Sequence, residues 1–472
     1  MKLYRTISIL LLILTSLIVK GQSLNDAKQW VAEGNFTEAQ PIIEEAYNKS
    51  PNNTELNYLS GVIALNNNDL QQAEQRLTYA SQKKYQPAYL QLGRLYAITY
   101  RFDKAETEFN KYERANRRKN DALELLDLER EYADRLERMV GRTENITIID
   151  SLVVDKANFL SAYKLSSSAG SILPFNQFFK DHSNNSTPLY TNERRDKVFF
   201  TQKNDKGAYK IHTMEQLINN FGNEKMLSTH INVAEGNQCY PFVMSDGLTI
   251  YFSSTGHNTL GGYDIYVTRY NLATEDYLAP NHLNMPFNSP FNDYMMVIDE
   301  EKGIGWFASD RYQPQDSVCI YTFIPATITQ LVNSDDDDYL RQRAMISSIA
   351  QTQPEGSDYS QLIALARKEE KDNHKQKGDF EFVINDAVTY RTLNDFQHGA
   401  ARTLYSRAMD MVQKKQHTDE ELAYLRLQYS QGTLGNSASS TILALEKESE
   451  NLHQEIEALK KQARNEEIRN IY

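Results

Sequence analysis

The sequence predicts a multidomain α + β chain: an N-terminal α-solenoid, a central all-β domain of about four or five repeated blades, and a C-terminal helical, coiled-coil-like region. Three patterns carry that reading. Small residues recur at a period near 34 between residues 27 and 112, aromatic strands recur around Phe200, Phe252 and Phe307, and apolar positions alternate at spacings of three and four near the C-terminus. The expected boundaries are 1–21 for a signal peptide, 22–141 for helical repeats with a capping helix, and 142–325 for the β domain. Residues 326–378 read as a helical linker region, and 379–472 as a short β hairpin followed by helices and a coiled coil.

At the N-terminus, Lys2 and Arg5 precede an apolar run from Ile7 to Val19, and Val19-Lys20-Gly21 offers a small-residue cleavage context before Gln22. An apolar core of that length is short for a bilayer span and suits a secretory signal. No Cys sits at the cleavage region, so a lipid anchor is not expected. Losing Lys2, Arg5 and Lys20 with that segment moves the net charge from −12 to −15. Such a balance disfavours phosphate backbones and anionic membrane surfaces. Cys239 and Cys319 are the only cysteines, too few for a disulfide scaffold in an oxidising compartment. Two buried thiols are expected, with a bridge as the alternative.

In the helical region, Gly34-Asn35-Phe36 forms a turn between two helices, Ala39 and Ala46 are small packing positions, and Ala73 and Ala80 repeat them 34 residues later. Gly61 and Gly93 mark places where helices approach closely, and Ala105, Phe109 and Tyr112 close a third unit. Helix pairs of this kind match the tetratricopeptide pattern. A charged helix from Asn120 to about Met139 caps the array, with Leu125, Leu128, Tyr132 and Leu136 as its expected apolar stripe.

The β region begins with ITIIDSLVVD from Ile146, expected to belong to a first, degenerate blade. YPFVMSDGLTIYFSSTGHNTLGGYDIYVTRY, from Tyr240, then reads as strand, Asp-Gly turn, aromatic strand, Gly-rich turn, strand. KVFFTQKNDKGAYKIHTM from Lys197 and GIGWFASDRYQPQDSVCIYTFI from Gly303 repeat that order, with the aligned Phe residues 52 and 55 apart. A small sheet cannot cover both its faces alone, so neighbours must stack, as propeller blades do. Beyond Pro325, Asp335–Asp338 suits the N-terminus of a helix over Tyr339–Ala350 and lacks the spaced ligands of a metal loop. TQPEGSD (352–358) reads as a linker, and DFEFVINDAVTY (379–390) as a hairpin around Asn385-Asp386 that completes a propeller sheet or forms a cap. Ile442, Leu445, Leu452, Ile456, Leu459 and Ala463 make a heptad seam with Ser449 as its polar member. An antiparallel hairpin with the preceding helix (Leu422, Leu425, Tyr429) and a coil between two chains through 441–470 both fit it.

The block SDGLTIYFSS…GGYDIYVTR resembles the TolB-type, WD-like propeller repeat of exported bacterial proteins. LNMPFNSPFNDYMMVIDEEKGIGWFASDR, from Leu283, resembles the inter-blade consensus of that repeat. A tetratricopeptide array followed by such a propeller is similar in order to periplasmic accessory proteins of type IX secretion and outer-membrane assemblies. The resemblance implies a periplasmic scaffold, associated with the outer membrane through protein partners. Residues 326–472 depart from it, since they carry no β-α pattern of the OmpA-type domain in which such proteins often continue.

No nucleophile elbow, Cys/His pair, P-loop or dinucleotide fingerprint is present in the sequence, and its nine His are scattered. Neither catalysis nor a cofactor or metal is therefore expected. His257 reads as an exposed loop residue and Asp246-Gly247 as a hairpin turn. Tyr is abundant, 29 copies against 2 Trp, which tilts the chain towards recognition surfaces. The expected partner-binding set is Gln29, Asn57, Tyr58, Tyr89 and Gln91 on the first helices of the array, with Tyr263 and Asp264 on the propeller. Asp264 also has the simpler reading of a turn-stabilising carboxylate. The function expected is a non-enzymatic scaffold that grips protein partners. The alternatives are a propeller that binds cell-envelope glycans or peptides, and a hydrolase or lyase with an axial cluster of acids.

Overall fold

The computed structural model describes residues 23–179, 187–217, 220–368, 380, 382–385, 388–430 and 437–471, and the chain divides into two compact units, Met1–Glu370 and Lys371–Tyr472. The expected signal segment lies outside the described residues.

In the first unit six helices form three pairs: α1 (Leu24–Glu33) with α2 (Phe36–Lys49), α3 (Thr54–Asn66) with α4 (Leu70–Gln82), and α5 (Gln86–Ile98) with α6 (Phe102–Asn116). Ser23 and Asp26 form a reciprocal capping box on α1, while Asn53 and Asp69 cap α3 and α4 through their side chains. Each pair turns through one left-handed residue, Gly34, Asn68 or Tyr100, at φ 82, 61 and 55°. The next amide returns to the first helix each time: Asn35 N to Trp30 O, Asp69 N to Ala64 O, Arg101 N to Tyr96 O. Ala39, Ala73 and Ala105 are buried as expected. A Cβ on Gly61 would lie 2.8 Å from Leu77 Cγ, and one on Gly93 2.4 Å from Phe109 Cε1, so these glycines let the helices of a pair touch.

The closing helix α7 (Asn120–Val140) departs from its expected stripe. It buries Leu126, Ala133, Leu136 and Val140, while Leu125 and Leu128 remain 44% and 63% exposed. The buried face is rotated because α7 packs both on the array and on the β domain that follows.

That domain contains three antiparallel sheets among the described residues, where four or five blades were expected. β1 (Thr147–Asp155) opens no blade of its own. Sheet I runs β2 (Ser171–Pro174), β3 (Pro188–Thr191), β4 (Lys197–Lys203), β5 (Tyr209–Gln216) and β6 (Phe221–Met226), with the single turn α8 (Phe175–Phe178) after β2. Sheet II runs β7 (Gln238–Val243), β8 (Thr249–Ser254), β9 (Asp264–Asn271) and β10 (Asp276–Tyr277), with β11 (Asn281–His282) also on β9. Sheet III is β12 (Asp293–Asp299), β13 (Ile304–Ser309) and β14 (Ser317–Ile324), and β1 closes it by pairing with β14 from Thr147–Ile324 to Asp155–Ser317. The blade count falls because the expected degenerate blade is divided: its first strand joins sheet III and β2 joins sheet I.

β7 packs across sheet I and β12 across sheet II. Phe159 and Tyr163, from the crossing between β1 and β2, fill the space between sheets beside Tyr240, Tyr294 and Trp306. Two connectors repeat one device. The Asn232 amide takes Ile211 N and donates to Ile211 O and Leu227 O at 2.8–3.0 Å. Asn288 does the same with Ile265 N, Ile265 O and Leu283 O at 2.6–2.9 Å. Next, Asn237 and Asn292 accept the amides of Tyr209 and Tyr263. Each next sheet is thus pinned to its predecessor by a buried carboxamide, Asn232 or Asn288, and a half-buried one, Asn237 or Asn292.

Residues 326–368 are no free linker. Leu331 bridges Glu144, and α9 (Asp337–Met345), capped by Asp336, packs on α7. Thr352, within the stretch expected as a linker, bonds the Ile148 amide with its Oγ1, and α10 (Ser360–Arg367) lies on β1 with Arg367 paired to Asp150. Arg311, almost without exposed surface, joins these parts: it donates to Asp293 at 2.7 Å, to Phe287 O and to Ala344 O of α9. Burial pushes the Asp293 carboxyl up to about 6 against the pull of Arg311.

In the second unit, β15 (Phe382–Asn385) and β16 (Val388–Tyr390) form a two-stranded sheet packed on α11 (Gly399–Ser430) and α12 (Ser437–Ile471), and do not complete a propeller sheet. The expected turn residue Asp386 lies outside the described residues. The helices run antiparallel, with Arg426 paired to Glu446, Arg407 to Glu455 and Asp419 accepting from Ser449 Oγ. Leu452, Ile456, Leu459 and Ala463 are buried, so the seam expected over 441–470 meets α11 of the same chain. Glu467, without exposed surface, accepts the Tyr390 hydroxyl and the amides of Gln397 and His398 ahead of α11.

Two stability effects are expected. Asn288→Ala should lower unfolding free energy by about 2–3 kcal/mol, since it orphans buried backbone groups at Ile265; a denaturant midpoint equal to that of an exposed Asn→Ala control would refute the pinning role. Arg311→Leu alone should cost about 3–5 kcal/mol, and pairing it with Asp293→Leu should restore much of the loss; urea unfolding of both variants checks it.

Candidate functional site

α3 and α5, the first helices of the second and third pairs, meet the β domain together with α7 across a cleft of about 740 Å³. α3 lines it with Val62, Leu65 and Asn66, α5 with Gln91, Arg94 and Ile98, and α7 with Leu125, Leu128, Glu129 and Tyr132. The facing wall is made of Thr259–Gly262, between β8 and β9, and of Pro290 and Phe291 before β12.

That wall is held from behind. Asp264, fully buried, accepts the Leu260 amide at 2.6 Å and the Gly261 amide at 3.4 Å, and its Oδ2 lies 2.6 Å from His282 Nε2. A Cβ on Gly261 would meet Phe291 O at 2.3 Å and one on Gly262 would meet Asn292 Oδ1 at 1.9 Å, so glycine is required where the two loops touch. From the array, Tyr132 donates to Leu260 O at 2.6 Å, and Arg135 donates to Asn258 Oδ1 and Thr259 O, both at 2.7 Å. Leu260 and Met285 of the β domain and Ala344 of α9 share one apolar cluster with Leu95, Tyr100 and Leu136. Array and sheets therefore have a common core beneath the cleft.

Electrostatically the cleft is uneven. Arg94 is 52% exposed and its guanidinium lies 3.8 Å from Glu129, a loose ion pair. Burial raises the Glu129 carboxyl although Arg94 pulls it down. Arg135 keeps its Nε out of water with no hydrogen-bond partner. Around these groups Val62, Leu65, Ile98 and Phe291 alternate with Asn66, Asn68 and Gln91, and the two α7 leucines stand open to the cleft.

Of the expected partner-binding residues, Gln91 lines the cleft. Gln29 is exposed at the far end of the array and bonds Glu33. Asn57 is buried and donates to Pro51 O and Asn53 O, so no partner can reach its amide. Tyr58 packs on Tyr85 at 5.1 Å, with burial pushing its phenol up to about 12. Tyr89 is half-buried, the Lys111 ammonium 5.9 Å above its ring. Tyr263 turns inward against Tyr240 and Tyr294, and Asp264 is the buried brace described above. Tyr263 leaves the contact set because the stacking of sheets II and III uses it, and Asp264 because the Leu260–Gly261 backbone and His282 take its oxygens. His257, expected as exposed, is half-buried, with Nδ1 2.7 Å from Ser254 Oγ. Cys239 and Cys319 are free buried thiols, and burial pushes Cys239 up to about 12.

Sequence reasoning missed Arg94, Leu125, Leu128 and Arg135 as cleft residues. One signal was available: LELLDL (123–128) holds more leucines than one buried helix face accommodates.

Among the described residues no helix is long and apolar enough to cross a membrane, and no group of three or more His, Cys, Asp or Glu could hold a metal ion. Residues 31–92 match the tetratricopeptide repeat family model, which spans the end of α1 through the middle of α5. No curated protein and no solved structure matches the chain. The N-terminal region is thus a tetratricopeptide-type array, a class of repeat that mediates contacts between proteins.

Proposed function

We propose that this chain is a non-enzymatic scaffold that grips a segment of a protein partner in the cleft between its helical array and its sheets. The observation that carries this reading is the pair Leu125 and Leu128, two large apolar side chains left open on a concave surface of tetratricopeptide type. Exposed apolar groups gathered in a groove mark contact sites, whereas scattered ones do not. The rigid backing of the Thr259–Gly262 wall favours a partner that fits a preformed surface.

The working place proposed is the periplasm, with partners drawn from an outer-membrane or secretion assembly. This rests on the Lys2/Arg5 and Ile7–Val19 pattern of a secretory signal, on the likeness of the strand repeats to TolB-type blades, and on the domain order similar to accessory proteins of type IX secretion. Domain order is an analogy, not a mechanism.

Leu125→Asp together with Leu128→Asp should leave circular dichroism unchanged, because neither side chain belongs to the buried core. The same double variant should lose most of the proteins co-purified by the wild-type chain from solubilised envelopes, quantified by mass spectrometry. Undiminished co-purification would reject the cleft as the gripping surface.

A further inference from the structure

We propose that the partner segment is acidic as well as apolar: a linear stretch whose hydrophobic side chains lie on Leu125, Leu128 and Phe291 while a carboxylate pairs with Arg94. The proposal rests on the reading of the cleft as a protein-binding groove and adds the chemistry that selects the occupant.

Three observations point there. Arg94 projects from α5 into the cleft with half its surface in water, and its contact with Glu129 is long enough for a second carboxylate to enter beside it. Glu129 is the one acid lining the cleft and is itself mostly covered, so the accessible charge is cationic. Arg135 lines the same cleft, and its bonds to Asn258 Oδ1 and Thr259 O are to neutral oxygens, so its positive charge adds to that of Arg94. Guanidinium groups pair with carboxylates through directed, charge-assisted hydrogen bonds, and such pairing strengthens where water is scarce. The chain as a whole has a net charge of −12, so a cationic spot set in apolar surface is a local reversal of sign. An acidic segment would be repelled over most of the molecule and held at this place, which is how charge adds selectivity to an apolar groove.

The test is a random dodecapeptide library displayed on phage and panned against the full chain. Enriched sequences are then made as fluorescein-labelled peptides and titrated by anisotropy. The expected winners combine Leu, Ile or Phe with Asp or Glu. Replacing their acids by the amides should weaken binding about tenfold, as should Arg94→Glu. A Lys-for-acid peptide should recover affinity on the Arg94→Glu protein. Neutral or basic winners whose binding falls with Leu128→Asp but not with Arg94→Glu would overturn the acidic chemistry and leave the groove standing. If no enriched peptide responds to Leu128→Asp, both the chemistry and the gripping reading are overturned.

Discussion

Asp264 stands at the start of β9 with no exposed surface, its oxygens taken by the amides of Leu260 and Gly261 and by the imidazole of His282. A buried carboxylate persists only where such partners surround it. Here the partners are the backbone of the loop against which the helical array rests, so one interaction sets two things. It fixes the shape of the cleft wall, and it presents Leu260 O to Tyr132. A chain without that brace would have the same helices and the same sheets, but no defined surface between them.

The same economy governs the β domain. Each connector is tied by a buried Asn to β5 or β9 of the sheet it has just left, and a second Asn ties the entrance of the next sheet's first strand to the sheet behind it. These contacts are made to backbone groups, so they place one sheet on another independently of which side chains fill the core. The pair Asp293 and Arg311 extends the arrangement to α9, drawing the segment after β14 back against the array.

Periodic features were legible in the sequence because repetition imposes the same steric demand at equal intervals. Gly61 and Gly93 sit where helices of a pair touch, Phe200, Phe252 and Phe307 are all fully buried, and Leu452, Ile456, Leu459 and Ala463 form a seam. What was not legible depends on contacts far apart in the chain. Blade counting by length failed because β1 pairs with β14 rather than with its neighbours. The segment after Pro325 reads as a linker by composition, yet Thr352 and Arg367 tie it to β1. The cleft itself was half visible. Its array side could be placed on first helices, and Gln91 is there, but the helical pattern of α7 could not tell which leucines the β domain would cover. Asn57, Tyr263 and Asp264 looked like contact residues by type, but neighbouring backbone claims Asn57 and Asp264, and Tyr263 packs on Tyr240 and Tyr294.

The closure of sheet III by β1 orders events during synthesis. Thr147–Asp155 emerges well before Ser317–Ile324, its ladder partner. Until then the strand offers a bare edge flanked by Leu152 and Val153, which stay uncovered even in the finished fold. An unpaired apolar edge invites association with other chains, and a pairing this distant closes slowly. The helices ahead of it assemble from local contacts and do not wait. The two ends of the β domain are thus joined by the most distant pairing in its ladder, and the sheet is incomplete without the strand that precedes it in the chain.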